Sequence, residues 1–266
     1  MRRARLAGLV GPIAGLGALF APGAGERPTR AQHCAPPIAA RADDRGWQAG
    51  LGLETARYRN SRYEGAWSGL VPEIGGHVGA FEGRAWLGAY DLERNGLRDQ
   101  GIGDAGLEAR WTAFHSELGA AAGAALALTL PTGDAETGLG MGHAMAMPAL
   151  WATSALGRFH TGASAAFGRA LGDLAGHQHG GSIVDPMNHT EVLGSLGFGA
   201  DLAASLRAEA TLLYAQPVLS DGAARGTGGV GFVWTTHALG LGAALHLPFA
   251  GDPFLIRALA HATLAL

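Results

Sequence analysis

A single cysteine, Cys34, is all the chain contains, which excludes any disulfide within it. Charged residues are scarce at 15%, and they balance to a formal net charge of -3. The basic face that nucleic-acid binding requires is therefore missing, and no nucleic-acid partner is expected. No Gly-x-x-x-x-Gly-Lys-Ser/Thr run is present to cradle a phosphate. Nor is there a Gly-x-Ser-x-Gly nucleophile elbow, and Ser164 within Gly-Ala-Ser-Ala-Ala has no partner nearby in sequence. No catalytic residue is assigned, and the chain is not read as an enzyme. Long clean apolar helices are also lacking. The uncharged runs 137–156 and 226–251 have the length to span a bilayer, but the second is broken by repeated glycine, two histidines and Pro248.

What the chain has instead is glycine, 44 times in 266 residues, beside 48% hydrophobic residues. Each glycine inside a helix costs about 1 kcal/mol relative to alanine, so this composition speaks against a helical protein. The N-terminus reads as an export signal: Arg2, Arg3 and Arg5 form a positive start, and Leu6 to Gly25 an uncharged apolar run. Residues 1–31 are assigned to this signal peptide, with cleavage between about 24 and 31. Residues 32–45, with Pro36, Pro37 and Asp43-Asp44, form a flexible lead-in. Ala31-Gln32-His33 before Cys34 do not match a lipidation site.

From 46 to 266 the apolar residues recur every second position, as on an extended strand with one apolar face. Phe254, Ile256, Ala258, Ala260, Ala262, Leu264 and Leu266 share one face, and Arg257, His261 and Thr263 the other. Leu206, Ala208, Ala210, Leu212 and Tyr214 alternate with Arg207, Glu209 and Thr211 in the same way. So do Ala105, Leu107, Ala109, Trp111 and Ala113 with Glu108, Arg110 and Thr112.

The pattern predicts twelve strands, near 47–58, 68–78, 83–93, 104–114, 118–130, 141–153, 157–171, 188–199, 203–215, 227–236, 239–249 and 254–266. Long polar connections follow the odd strands, Asn95 to Gly103 among them, and tight ones follow the even strands. This asymmetry fits long external loops and short periplasmic turns. The expectation is an all-β fold: a transmembrane antiparallel up-and-down β-barrel of about 12 strands in the bacterial outer membrane, with the lipid bilayer as its partner. Tryptophans and tyrosines fall near predicted strand ends, where interfacial girdles are expected. Oligomeric state is not legible.

Four segments carry a family resemblance: GIGDAGLEARW (Gly101 to Trp111), LPTGD (Leu130 to Asp134), GLGMG (Gly138 to Gly142) and GRALGD (Gly168 to Asp173). The chain resembles the outer-membrane transporter family named for the MetA pathway of phenol degradation. That resemblance implies an outer-membrane barrel with a transport role, no catalytic residues and no agreed substrate. The final residue, Leu266, departs from the aromatic residue with which such barrels often end.

Two constellations carry chemistry. Met141, His143, Met145 and Met147 fall at alternate positions of one predicted strand, on one face at intervals of roughly 6.5–7 Å. Thioether and imidazole suit soft ions such as Cu(I), so this row reads as a ladder for a metal ion. His177, His179, Asp185, Met187 and His189 lie in or beside the next external loop, and the two sets together form a candidate entry site. Methionine also serves as an adaptable packing residue, the competing account of the same row. Glu108, Arg110, Arg207, Glu209 and Arg257 are expected to face the lumen, paired across it or solvated. The function these features support is a transporter or channel for a small solute. No cofactor is required; the one ion suggested is copper. A non-conducting barrel with ligand-binding external loops is the alternative, and a barrel hydrolase a more remote one.

Overall fold

The structure, a computed structural model, describes residues 45–59, 63–172, 183–184, 187–218, 223–251 and 254–266. The signal segment, most of the lead-in, Cys34, His177, His179 and Asp185 lie outside these. The described elements are strands: β1 (Arg45–Arg59), β2 (Glu64–Val78), β3 (Phe81–Trp86), β4 (Ala89–Arg94), β5 (Leu97–Ile102), β6 (Ala105–His115) and β7 (Ala121–Leu130). They continue as β8 (Ala144–Leu156), β9 (Phe159–Leu171), β10 (Thr190–Ala203), β11 (Leu206–Pro217), β12 (Arg225–Thr235), β13 (Leu239–Ala250) and β14 (Phe254–Ala265). No helix among the described residues is long and apolar enough to cross a membrane.

Neighbouring strands pair antiparallel around the whole sheet, and β1 closes on β14, Leu51 opposite Ala262. Closure removes the sheet edges, which in lipid would leave backbone amides and carbonyls without partners. The fourteen strands make twelve staves. β3 and β4 keep one register against β2, with Glu73 opposite Trp86 and Leu70 opposite Ala89, so they are one stave bent at Leu87-Gly88. β5 and β6 similarly face that stave in turn, Ile102 opposite Ala89 and Gly106 opposite Trp86, with one extra residue taken up around Gly103-Asp104.

The expected strand near 83–93 is therefore present but bent. The segment Asn95 to Gly103, read as a long loop, is corrected to a hairpin that turns on two residues. Asn95 and Gly96 both have positive φ, 51° and 81°, the conformation of a primed two-residue turn, and Asn-Gly is its favoured sequence.

The period-two placement holds on both faces. Leu107, Leu212, Phe232, Leu241 and Leu264 are exposed on the outside, an apolar surface matched to acyl chains, while Glu54, Glu108, Glu191, Arg207 and Arg257 are buried on the inside. Two bulges revise the expected rows. Tyr58 pairs with Phe254 while Arg57 pairs with Ile256, so Leu255 is the extra residue and Phe254 turns inward against the core. Phe114, not Ala113, pairs with Ala122 and takes the outward position, 56% exposed.

The girdle expectation also needs revision. Trp47, Trp111 and Trp234 are exposed at the end that holds the chain terminus and the tight turns, but Trp67, Trp86 and Trp151 are buried inside, as are Tyr58 and Tyr90. Nearness to a strand end does not choose the face; parity does.

Most strand glycines serve neither turns nor positive φ. A Cβ at Gly106 would collide with the Trp86 ring, and one at Gly242 with the His261 ring. These large inward side chains lie flat across a glycine on the neighbouring stave, which keeps the wall thin in a narrow barrel.

Candidate functional site at the outer mouth

Three of the glycine-rich motifs meet at one point on the rim. The Asp104 carboxylate accepts the Gly133 N–H at 3.0 Å and the Met141 N–H at 2.7 Å. Thr132 Oγ1 donates to the Gly103 carbonyl at 2.8 Å and accepts the Ala105 N–H at 2.8 Å. Gly133 and Gly140 pack so closely that a Cβ on either would strike the other's backbone. The knot pins the connection between β7 and β8 and folds it inward, placing Leu139 on Gly101 and Gly103 and burying Met141. The motif chemistry is thus turn and anchor chemistry, with no phosphate cradle.

The connection between β9 and β10 joins it. Ile183 N–H donates to the Gly138 carbonyl at 2.9 Å, and Ile183 and Val184 pack with Leu139 against Tyr58, Trp67, Val71, Tyr90 and Leu92. β9 and β10 stand opposite β1 and β2 in the strand order, so Ile183 and Val184 reach across the mouth. Together Leu139, Ile183 and Val184 form an apolar roof seated on the β1–β4 wall.

Beside the roof lies the methionine and histidine set. Met141, Met145 and Ala170 form one buried cluster with Met187 packed against it. The rings of His143 and His189 meet edge to face, centroids 4.9 Å apart. Met145 is opposite Ala170 in the ladder, and the Ala170 N–H donates to the His189 carbonyl at 2.7 Å, which ties the second loop to this wall. Met147, 1% exposed, sits two residues deeper on β8. The expected continuous strand from Met141 is corrected: β8 starts at Ala144, and Gly142 has φ of 74°, although burial still alternates through 141, 143, 145 and 147. Among the described residues no group of three or more His, Cys, Asp or Glu side chains converges as a metal-binding set.

The charged residues on the inner wall pair sideways. Arg257 reaches Glu54 on the adjacent strand at 2.7 Å, with its guanidinium 5.2 Å from the Trp67 ring centroid. Arg84 pairs with Glu108 at 2.6 Å, and Arg110 with the same carboxylate. Arg207 meets Asp201 at 2.7 Å, and Arg225 meets Glu191 at 2.7 Å. Glu209 stands two residues from Arg207 on the same inner row. Every one of these pairs joins residues of the same stave, adjacent staves or staves one apart, so the expectation of pairing across the lumen is replaced by pairing along the wall. The sequence singled out Glu108, Arg207 and Arg257 but missed their partners Arg84, Asp201 and Glu54, and it missed the Arg225–Glu191 pair altogether. Alternation within β1, β3 and β10 carried the signal.

The hydrolase alternative finds no support at Ser164. Its hydroxyl pairs with Ser195 at 2.6 Å, whereas His160, paired with Asp201 at 2.8 Å, is four residues away along the strand, about 13 Å.

No known family profile and no curated protein matches the chain. Among solved structures, an outer-membrane channel from Pseudomonas putida F1 superposes with a TM-score of 0.65 at 12% identity, covering 86% of this chain and all of that one. The KdgM porin gives 0.51 at 7% identity, covering 82% of this chain and 98% of its own. The β domain of the Bordetella autotransporter BrkA gives 0.51 at 17%, covering 84% and 100%. What is shared at such identities is the fold: an outer-membrane β-barrel, common to channels and to a secretion domain alike.

Proposed function

We propose that the chain is an outer-membrane channel through which a small solute crosses, with a soft metal ion such as copper as the solute class suited to its outer mouth. The observation that carries the reading is the direction of the ion pairs. These pairs run along the wall, and Leu139, Ile183 and Val184 pack across the axis against the opposite wall. Ion pairs directed along the wall leave the axis to these inward-packed residues, and a segment held by a few hydrogen bonds is the kind of element that opens at low cost. The convergence of the Gly101, Leu130 and Gly138 motifs at Asp104 favours placing the chain with transporters of the MetA-pathway type.

The competing reading, a non-conducting barrel whose external loops hold a ligand, uses the same mouth and differs in flux. Neutral solutes of increasing size, tested for entry into vesicles carrying the purified protein, separate the two. We expect slow entry of the smallest solutes, and faster, less size-selective entry when Leu139, Ile183 and Val184 are replaced by serine. Entry no faster than into empty vesicles for both proteins overturns the channel and leaves the ligand-holding barrel.

A further inference from the structure

The geometry points to a binding site for a monovalent d10 cation, Cu(I) or Ag(I), built from the thioethers of Met141, Met145 and Met187 and the imidazoles of His143 and His189. This names the cation class and its residues; it rests on the channel reading only for the cation's onward passage. Three observations bear on it. First, Met187 comes from the connection between β9 and β10, more than forty residues beyond Met141 and Met145, yet it packs against the buried cluster that those two form with Ala170. Second, the two imidazoles touch each other, and each stands two residues from a methionine of that cluster, His143 between Met141 and Met145 and His189 after Met187. Third, backbone bonds fix both approaches: Asp104 holds the Met141 amide, and Ala170 holds the His189 carbonyl.

The donor chemistry sets the ion. Hard and borderline divalent cations are held by carboxylate, carbonyl, thiolate and imidazole. No convergent group of three His, Cys, Asp or Glu exists among the described residues, so such ions find two imidazoles here and not a full donor set. Thioether sulfur is a neutral, polarisable donor that selects soft d10 ions. A set of neutral donors leaves the ion its single positive charge. The two carboxylates beside the set are already engaged, Asp104 by the Gly133 and Met141 amides and Glu191, which flanks Gly168 alongside the Met145 methyl, by Arg225 and Asn188. A second positive charge would therefore go uncompensated in a buried pocket, which weighs against a divalent ion.

Methionine as mere filler predicts a different result from methionine as ligand, because leucine keeps the volume and loses the sulfur. The test uses the full mature chain in detergent, with Cys34→Ser, His177→Gln and His179→Gln throughout so that these groups do not compete. Ag(I), and Cu(I) under reductant, are titrated against a chromophoric chelator. We expect one cation per chain, affinity weakened at least tenfold by combined Met141→Leu, Met145→Leu and Met187→Leu, and no displacement by a tenfold excess of Zn(II). Combined His143→Gln and His189→Gln should weaken binding as well, and X-ray absorption of bound Cu(I) should show both sulfur and nitrogen neighbours. Unchanged affinity in the leucine variant, displacement by Zn(II), or a first shell without sulfur overturns the site. Neutral-solute flux is read separately, so lost binding with retained flux removes only the site, and retained binding without flux removes only the channel.

Discussion

Glycine and charge decide this barrel residue by residue. Trp86 occupies the space a side chain at Gly106 would need, so Gly106→Val must displace a buried ring. Overpacking of this kind costs about 1–3 kcal/mol, and the urea midpoint of the refolded protein should fall accordingly. Arg257 and Glu54 are both buried, and Arg257→Met strands a carboxylate in a closed interior. Loss of about 3–5 kcal/mol is expected in the same assay, with part of it recovered in the double variant Arg257→Met, Glu54→Leu. The inward direction of Arg207, Glu209 and Arg257 was legible in the sequence because parity along one strand is local information. Which glycine lies beneath which ring, and which carboxylate meets which arginine, depends on register between strands, and no single strand encodes that.

At the scale of elements, the rim knot around Asp104 holds the inward-folded loop by two accepted hydrogen bonds. Asp104→Ala leaves the Gly133 and Met141 amides without that acceptor, at about 1–3 kcal/mol. The loop from Pro131 to His143 should then exchange its amide hydrogens at least several-fold faster while β7 and β8 keep their protection, as hydrogen exchange resolved by segment will report. Strands with charges on one face, β6, β11 and β14, could be read directly from alternation. The bend in the third stave and the strand β5 could not, because the break at Leu87-Gly88 and the extra residue near Gly103 interrupt the period. Asn95-Gly96 was a readable hairpin signal that the polar composition around it concealed. The bulges that turn Phe254 inward and Phe114 outward have no counterpart in the pattern, since a single inserted residue reverses parity without altering composition.

For the whole molecule, closure of β1 on β14 and an exposed apolar exterior make a barrel of even stave number in which the chain terminus shares one end with the turns that follow the even staves. At the other end, Leu139 of one connection and Ile183 and Val184 of another pack inward over the lumen. The short connections after even strands and the long ones after predicted strands five and seven made this orientation legible from sequence, although the long one expected at Asn95 to Gly103 is a two-residue turn. That the loops turn inward was not, because it depends on Leu139, Ile183 and Val184 finding an aromatic wall built by four strands from the other end of the chain.

The central claim is that this wall encloses a path which the roof restricts, and single-channel conductance in a planar bilayer addresses it most directly. The full mature chain should give small, infrequent openings, and the combined Leu139→Ser, Ile183→Ser, Val184→Ser variant larger and longer ones at the same salt concentration. A silent bilayer with both proteins, each shown to be folded by its β-sheet circular dichroism, contradicts the account.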